Sequence, residues 1–312
     1  MKTGIFLSYI GLGSNLLHLT YCHEIAKKYG PITLMTTCSN VKQALEDDPL
    51  IEEIIYIKEH YKRFIDIIKL SKFWSQYKFD NFFIFYPSAR YYIAAKIAGF
   101  KNIKAYPFFK KKNLHLVKAA QKLIVDNLNI KSCPTETNFY INKNKQIAAK
   151  KYLDKNKKNI IIGAGSSGPS AKWGHKNFSN LINKLNEKEN FFFYILCGPN
   201  EKEISKSITS NLNKQNILCL SDMKIGQLIP LISLCNLYVG NDSFGHHVTS
   251  QCGIPSIVLM LDSPKAYSDY SINQHRVLPE GVDLHSITHG SLFSPNQITV
   301  DQVYKKILSL LN

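Results

Sequence analysis

Hydrophobic segments with the pattern of buried strands alternate with amphipathic segments along the chain, and this alternation restricts the fold more than any other feature. The segment GIFLSYI (4–10) is typical of a buried strand, and the glycine-rich turn GLGSN (11–15) follows it. The next segment, LLHLTYCHEIAKKYG (16–30), has the apolar spacing of a helix, and ITLMTT (32–37) begins the pattern again. Strands that alternate with helices in this way predict a parallel sheet covered by helices.

The alternation runs through the chain twice. A polar, lysine-rich stretch around residues 141–158 separates the two series. Beyond it, NIIIGAG (159–165) starts a second series that ends in the amphipathic segment ITVDQVYKKILSLL (298–311). We therefore predict an α/β protein with two Rossmann-like domains, residues 1–157 and 158–312, that face each other across a cleft.

Composition narrows the class of protein further. The 312 residues are 45% hydrophobic, enough for a sizeable core, and no apolar run approaches the roughly 18 residues that a membrane span needs. The first residues, MKTGIFLSYIGLGSN, lack a small-residue cleavage site and are more typical of a strand than of a signal peptide. The seven cysteines are scattered and include no Cys-x-x-Cys pair, which favours reduced thiols in the cytoplasm and argues against a metal site.

The formal net charge is +16, from 39 Lys and Arg against 23 Asp and Glu, and it favours anionic partners such as anionic lipid or a phosphorylated substrate. Lysine is abundant throughout the chain, so solvated lysines explain much of this charge without any partner. The segment FFKKKNLHLVK (108–118) mixes basic and aromatic residues and suggests a peripheral contact with a membrane surface. No nucleic-acid-binding motif occurs, so nucleic acid is not an expected partner.

Three loops that follow strands in the second half carry polar residues, and ligands of open α/β sheets bind beyond the carboxyl ends of the strands. In the first loop, Gly163, Gly165 and Gly168 have the spacing of a dinucleotide-binding fingerprint. However, Pro169 and more loop precede the helix, and the next strand ends in LCG (196–198) without the acidic residue that an NAD site needs. The loop is therefore a poor match to an NAD site.

The same loop contains Ser166, Ser167 and Lys172, whose hydroxyl and ammonium groups suit a diphosphate. The alternative is that Lys172 is a solvent-exposed lysine without a ligand. In the second loop Glu201 opens a helix. Its carboxylate either accepts hydrogen bonds from a ribose or only complements the dipole of that helix.

The third loop, GNDSFGHH, places Asp242 and Ser243 at the end of a strand, and a helix begins near Gly245 or His246. The free backbone N–H groups of such a helix start form an anion-binding site. The alternatives are that Asp242 caps the helix and that His247 only packs in the core. An Asp and two histidines at one strand end favour a ligand site over a purely structural role.

These segments together resemble glycosyltransferase family 9, the ADP-heptose:lipopolysaccharide heptosyltransferase-like enzymes. GAGSSGPSAKWGHKNFSNLINKL resembles the Lys-x-Trp loop and helix of the family, LCGPNEKEI resembles its Gly-Gly-Pro-x-Glu segment, and NDSFGHHVTSQCGIPSIVLM resembles its Asp-Ser/Thr-Gly-x-x-His block. The resemblance implies a GT-B fold whose C-terminal domain binds a nucleotide-sugar and whose N-terminal domain binds the acceptor, with no metal or other cofactor. It implies phosphate contacts from Ser166, Ser167 and Lys172, a ribose contact from Glu201, and a diphosphate seat at Asp242, Ser243, Gly245, His246 and His247.

One departure from the family lies in the third loop. Phe244 stands where the family has glycine, and Gly245 and an additional histidine, His246, follow it. The shape of the nucleotide loop therefore differs from that of typical members, and the donor need not be ADP-heptose.

The second departure concerns the base that takes the proton of the acceptor hydroxyl. Typical members have Gly-Asp in the first loop of the chain, whereas this protein has Ser14 and Asn15, neither of which takes up a proton usefully at neutral pH. His18, one turn further along, is the nearest titratable candidate for the base, and the alternative is that it is a helix-face residue. Arg90 follows the strand-like segment NFFIFY and is the candidate contact for an anionic acceptor.

The sequence therefore predicts an inverting, metal-independent glycosyltransferase. It would move a heptose or similar sugar from a nucleotide-diphosphate donor to a saccharide or lipid-linked acceptor in bacterial lipopolysaccharide or surface-polysaccharide assembly. We expect it in the cytoplasm, at the inner face of the membrane. A degenerate relative that only binds a nucleotide-sugar is the main alternative, because the usual base is missing. An NAD-dependent oxidoreductase is disfavoured by the missing acidic residue.

Overall fold

The computed structural model describes residues 1–58, 61, 63–108, 114–166, 172–188 and 190–311. The chain divides into two compact units, Met1–Tyr140 and Ile141–Asn312. Each unit is built on a parallel sheet with helices packed against it. None of the described helices is both long enough and apolar enough to cross a membrane.

The first unit alternates strands and helices as its hydrophobic pattern predicts. Its strands are β1 (Thr3–Leu7), β2 (Ile32–Thr36), β3 (Ile51–Tyr56), β4 (Asn81–Ile84) and β5 (Asn102–Ala105). Its helices are α1 (Leu12–Leu16), α2 (Leu19–Tyr29), α3 (Val41–Leu45), α4 (Asp66–Trp74), α5 (Ala89–Ile97) and α6 (Leu116–Leu128). The strands pair in parallel in the order β3-β2-β1-β4-β5. Because the order reverses between β1 and β4, the carboxyl ends of these two strands flank the position where such sheets bind ligands.

One face of the first sheet carries a core rich in aromatic side chains. Phe6 of β1 packs edge-on against Trp74 of α4 and Tyr91 of α5, with ring centroids 5.2 and 4.9 Å apart. In α4, Ile67, Leu70 and Trp74 are buried and recur at the spacing of one helix face. The apolar stripe of α4 thus fixes the side that this helix turns to the sheet.

The second unit repeats the design with one more strand. Its strands are β6 (Lys158–Gly163), β7 (Phe191–Leu196), β8 (Ile217–Cys219), β9 (Leu237–Asn241), β10 (Ser256–Leu259) and β11 (Gln274–Val277). Its helices are α7 (Lys143–Ala149), α8 (His175–Asn186), α9 (Lys202–Thr209), α10 (Ile225–Ile232), α11 (Phe244–Gln251) and α12 (Val300–Leu311). The order is β11-β10-β9-β6-β7-β8, which is the strand order of a Rossmann fold with its reversal between β6 and β9.

The division between the units falls upstream of the predicted boundary at residue 157. The lysine-rich stretch is not a linker, because part of it forms α7, which packs against α10. Gln146 of α7 donates a hydrogen bond to Ser233 at 3.0 Å, and Asn159 accepts one from the backbone N–H of Asp154 at 3.1 Å. Helix α7, which begins at Lys143, thus belongs to the second unit.

Candidate functional site

The two strands at the reversal of the second sheet approach closely because glycine occupies both. Gly163 at the end of β6 lies opposite Gly240 of β9. A Cβ atom on Gly240 would lie 2.3 Å from the carbonyl oxygen of Gly163, and one on Gly163 would lie 1.9 Å from the hydroxyl oxygen of Tyr238. The space left by these glycines lets the Tyr238 hydroxyl reach the carbonyl of Asn241, at 2.7 Å. The side chain of Tyr238, which belongs to β9, therefore holds the turn that follows this strand.

Asn241, the last residue of β9, connects this strand end to the first loop. Its side-chain amide donates to the carbonyl of Ala164 at 2.8 Å, and its side-chain oxygen accepts from the backbone N–H of Trp173 at 2.9 Å. Trp173 is fully buried, and its indole N–H donates to the carbonyl of Ile298 at 2.7 Å. Because a buried amide side chain needs partners, Asn241 fixes both ends of the loop in which Ser166 and Lys172 lie. Sequence analysis did not identify Asn241, although a polar residue closing a buried strand was a usable signal.

Lys172 and Glu201 form an ion pair beside this loop, with Nζ and Oε1 2.9 Å apart. The Glu201 carboxylate also accepts hydrogen bonds from the backbone N–H groups of Ser166, at 3.3 Å, and of Gly198, at 3.0 Å. A Cβ atom on Gly165 would lie 2.4 Å from Glu201 Oε2, so glycine is needed there for the two loops to meet. The structure thus brings together three residues predicted to bind the donor, Ser166, Lys172 and Glu201. Ser167, the fourth residue of this set, lies outside the described residues.

The third loop forms a compact hydrogen-bonded cluster around Asp242. One carboxylate oxygen, Oδ2, accepts from the Ser263 hydroxyl at 2.5 Å. The other, Oδ1, lies 3.2 Å from Nδ1 of His246 and 3.5 Å from Nε2 of His247. Both histidines are buried, and the side chain of Asp242 is 12% exposed. Asp242 is therefore held by its neighbours while one edge remains accessible.

The outer nitrogen of each histidine is held by the segment that follows β10. Nε2 of His246 lies 3.0 Å from the carbonyl of Tyr267, and Nδ1 of His247 lies 2.5 Å from the hydroxyl of Tyr270. The rings of His247 and Tyr270 are also stacked, with centroids 5.7 Å apart. Residues 263–270 thus complete this part of the site.

The protonation states of the cluster follow from burial and from its charges. Burial favours the neutral form of Asp242, but the hydrogen bonds from His247 and Ser263 favour its ionised form, and the pKa of Asp242 lies below its ordinary value. Burial, together with the neighbouring His247, lowers the pKa of His246 to about 3. The Tyr267 carbonyl can only accept, so Nε2 of His246 carries the proton. At neutral pH the cluster therefore contains an ionised carboxylate beside a neutral imidazole.

Helix α11 begins at Phe244, and its N-cap is Ser243. Asp242 is therefore not the cap residue. The backbone N–H of Ser243 donates to Nδ1 of His246 at 3.3 Å, so the additional histidine satisfies one backbone group at the helix start. A Cβ atom on Gly245 would lie 2.7 Å from both Leu196 Cδ2 and Tyr238 Cε2, which makes Gly245 a close-packing position against the sheet. The remaining N–H groups of the first turn lie at the carboxyl edge of β9, as an anion site requires.

In the first unit, His18 does not fit the role of a base. It is fully buried, and its Nδ1 donates to the carbonyl of Ser14 at 2.6 Å. Because a carbonyl only accepts, the lone pair of His18 is on Nε2, which lies 2.9 Å from the hydroxyl of Tyr106. The ring also stacks on Tyr9, with centroids 4.9 Å apart. The nitrogen that could take a proton is therefore directed into the core, which corrects the proposal made from sequence.

Asn15, predicted in the same group, serves the loop structurally. Its amide donates to the carbonyls of Tyr9, at 2.9 Å, and Gly11, at 2.7 Å, and its oxygen accepts from the Thr36 hydroxyl at 2.8 Å. Ser14 is half-buried in α1. Arg90 is half-buried in the first turn of α5. A positive charge at this end of a helix interacts unfavourably with the helix dipole, so helix stability does not explain why this position is an arginine.

The family model for glycosyltransferase family 9 (heptosyltransferase) matches residues 94–278, more than half of the chain and all of the described cluster in the second unit. The chain belongs to glycosyltransferase family 9. A curated relative, lipopolysaccharide heptosyltransferase 1 of Campylobacter coli, is 28% identical over 148 residues, which cover 46% of this chain. The match spans 43% of that relative, less than half of its length.

Solved structures with a similar fold include heptosyltransferases and a family 9 glycosyltransferase. An ADP-heptose LPS heptosyltransferase II from E. coli has a TM-score of 0.74 at 17% identity, over 100% of this chain and 98% of that one. A family 9 glycosyltransferase from Veillonella parvula has a TM-score of 0.77 at 18% identity, over 99% and 97%. E. coli heptosyltransferase WaaC with ADP has a TM-score of 0.71 at 12% identity, over 99% of both chains. The predicted α/β fold of GT-B type is confirmed.

The cluster around Asp242 also contains a set of residues that can ligate a metal. Among the described residues, donor atoms of Asp242, His246 and His247 all lie within 4.8 Å of one another. The sequence argument against a metal site rested on the scattered cysteines and did not consider this set. Its signal was the adjacent pair of histidines four and five residues after an aspartate.

Proposed function

We propose that this family 9 protein is a glycosyltransferase that moves a sugar from a nucleotide-diphosphate donor to a saccharide acceptor in lipopolysaccharide or surface-polysaccharide assembly. The observation that carries the proposal is that the loop after β6, where Lys172 pairs with Glu201, is hydrogen-bonded through Asn241 to the strand end that precedes α11. A cation, a carboxylate and free helix N–H groups at one strand edge suit a nucleoside diphosphate. The heptosyltransferase relatives make ADP-linked heptose the first donor to test.

The proposed reaction is a single displacement at the anomeric carbon. The oxygen of the acceptor hydroxyl forms the new bond, the bond between that carbon and the diphosphate oxygen breaks, and the configuration inverts. The departing diphosphate gains negative charge, which Lys172 and the N–H groups of α11 stabilise without a metal ion at the diphosphate. Asp242, ionised and fixed by Ser263 and His247, is placed to accept hydrogen bonds from hydroxyl groups of the donor.

The acceptor hydroxyl must also lose its proton; residues 8–18 contain no carboxylate that could take it, so in the proposed step the departing diphosphate accepts it. His18 and Asn15 both have structural partners in the core. These two observations favour a second candidate function, a family 9 relative that binds a nucleotide-sugar without transferring it. The two candidates share the donor site and differ in turnover alone.

We further propose that the acceptor is an anionic, lipid-linked saccharide reached at a membrane surface. The basic centre of the segment predicted to contact the membrane, residues 109–113, lies outside the described residues. Another surface supports the proposal, the α4 patch, which consists of Phe64, Ile65 and Ile68, with exposed fractions of 82%, 59% and 61%. Three exposed basic residues flank it: Arg63, Lys69 and Lys72. Apolar side chains surrounded by cations match an anionic lipid surface.

The test of the proposed function is turnover with a panel of ADP-, GDP- and UDP-linked sugars and a lipopolysaccharide-core acceptor. Release of nucleoside diphosphate that depends on the acceptor supports transfer. Donor binding without release in the presence of any acceptor supports the binding protein instead. Absence of donor binding contradicts both.

A further inference from the structure

The cluster at the start of α11 has a second use beyond the proposed transfer. We propose that it binds one divalent transition-metal ion of the zinc class through Oδ1 of Asp242, Nδ1 of His246 and Nε2 of His247. The ion would hold the Asp242 carboxylate and the first turn of α11 in place, and it would not contact the diphosphate. Two histidines and a carboxylate are a donor set that suits zinc and related ions.

Two of the three spacings between the donor atoms fit tetrahedral coordination. Bonds of about 2.0–2.1 Å to nitrogen and oxygen place the ligand atoms of a tetrahedral zinc site about 3.3–3.4 Å apart. Oδ1 of Asp242 lies 3.2 Å from Nδ1 of His246 and 3.5 Å from Nε2 of His247. All three donor atoms lie within 4.8 Å of one another, so they can converge on one ion.

The outer shell of the site is complete before any ion binds. Metal-ligating histidines usually engage their second nitrogen with a carbonyl or another polar group, and ligating carboxylates are hydrogen-bonded in turn. Here Nε2 of His246 is bonded to the Tyr267 carbonyl, Nδ1 of His247 to the Tyr270 hydroxyl, and Oδ2 of Asp242 to Ser263. All three partners lie in one eight-residue segment, 263–270, so a single stretch of chain orients every ligand.

A purely structural explanation competes with this one. Nδ1 of His246 accepts the N–H of Ser243 at 3.3 Å and so caps the helix. A single lone pair serves either the N–H group or a metal, so the two roles can be separated. Glutamine is a favourable residue for this cap, because its side-chain oxygen can accept the same N–H. Glutamine is a far poorer zinc ligand than imidazole, so His246→Gln keeps the cap and removes the proposed ligand.

The experiment is a calorimetric titration of Zn²⁺ into the full chain, after removal of any affinity tag and of prior metal with a chelator. Wild type and the control His285→Gln, which changes an exposed histidine outside the cluster, are expected to bind one equivalent. His246→Gln is expected to lose this binding while its melting temperature in the absence of metal stays near that of wild type. Tyr270→Phe, which removes only an outer-shell bond, should weaken binding about 10- to 100-fold.

No stoichiometric binding by wild type, or equal binding by His246→Gln, would overturn the proposal. If His246→Gln does not fold, Asp242→Asn takes its place, because it keeps the shape of the side chain and removes the charge of the ligand. The inference does not depend on glycosyl transfer. Nucleotide binding measured on Lys172→Ala tests the proposed function separately. The metal site and the donor site can therefore be contradicted independently of each other.

Discussion

Lys172 and Glu201 form an ion pair of 2.9 Å that joins the far end of the first loop to the turn between β7 and α9. The carboxylate of Glu201 also holds the backbone N–H groups of Ser166 and Gly198. The lysine that would neutralise a diphosphate is thus positioned before a donor binds. Preorganised charge of this kind stabilises a leaving group without reorganisation during the reaction.

Replacement of Lys172 by alanine should therefore weaken nucleotide binding selectively. A hydrogen bond to a charged group contributes about 1.5–3 kcal/mol, so we expect an affinity about 10- to 100-fold lower. The measurement is calorimetric titration of the nucleoside diphosphate. The matched control is Lys206→Ala, which removes an exposed lysine paired with Glu203 in α9 and should leave affinity unchanged. Equal affinity for wild type and Lys172→Ala would remove Lys172 from the site.

Asn241→Ala should destabilise the second unit, because it leaves the Ala164 carbonyl and the Trp173 N–H without this partner in a buried position. Each buried group left unsatisfied costs about 1–3 kcal/mol, and urea denaturation measures the loss. Asn127→Ala is the control, since that side chain donates to the Leu123 carbonyl of its own helix and its loss should cost about 0.5 kcal/mol or less. A similar free energy of unfolding for the two variants would contradict the role assigned to Asn241.

His18→Ala should lower the free energy of unfolding, and it should not lower kcat as the loss of a catalytic base would. The imidazole is fully buried and bonded on both nitrogens, so we expect the free energy of unfolding to fall by about 2 kcal/mol or more. Once transfer is established, kcat per folded molecule should stay within a few-fold of wild type. A variant that melts like wild type but loses kcat more than a hundredfold would restore His18 as the base.

The sequence predicted the interior strands of both sheets, because parallel strands buried on both faces give continuous apolar segments such as Ile160–Ile162. It did not predict β5 (Asn102–Ala105) or β11 (Gln274–Val277), which are short edge strands with polar residues and no such pattern. Helix α6 was also missed.

The candidate site was predictable where its residues are close in sequence. Asp242, Ser243 and His247 follow one strand and meet at one helix start, so local pattern was enough to group them. Their partners Ser263, Tyr267 and Tyr270 arrive by way of β10, and periodicity carries no information about that path. The role of His18 was predicted wrongly for the same reason. Its position in the sequence places it on a helix face, but it does not show that this face packs against the Tyr106 hydroxyl.

The α4 patch predicts binding to anionic vesicles. Wild type should co-sediment with vesicles that contain phosphatidylglycerol more than with neutral phosphatidylcholine vesicles, and added salt should weaken the binding. Phe64→Ser combined with Ile68→Ser should reduce binding about tenfold or more, because two apolar side chains no longer enter the interface. Ile272→Ser is the control, since Ile272 is 85% exposed but lies outside the patch. Equal binding by the double variant and the control would exclude this surface.

The most direct test of the central claim is a melting-temperature panel with ADP, GDP, UDP and their sugar conjugates, on wild type and on Asp242→Ala. A ligand at a hundred times its Kd stabilises the folded state by about 2.7 kcal/mol, which is readily measured. We predict that one nucleotide series raises the melting temperature of wild type, and that its sugar conjugate has a smaller effect on Asp242→Ala. If no nucleotide or nucleotide-sugar shifts the wild-type protein, the donor site assigned to the edge of β6 and β9 is wrong.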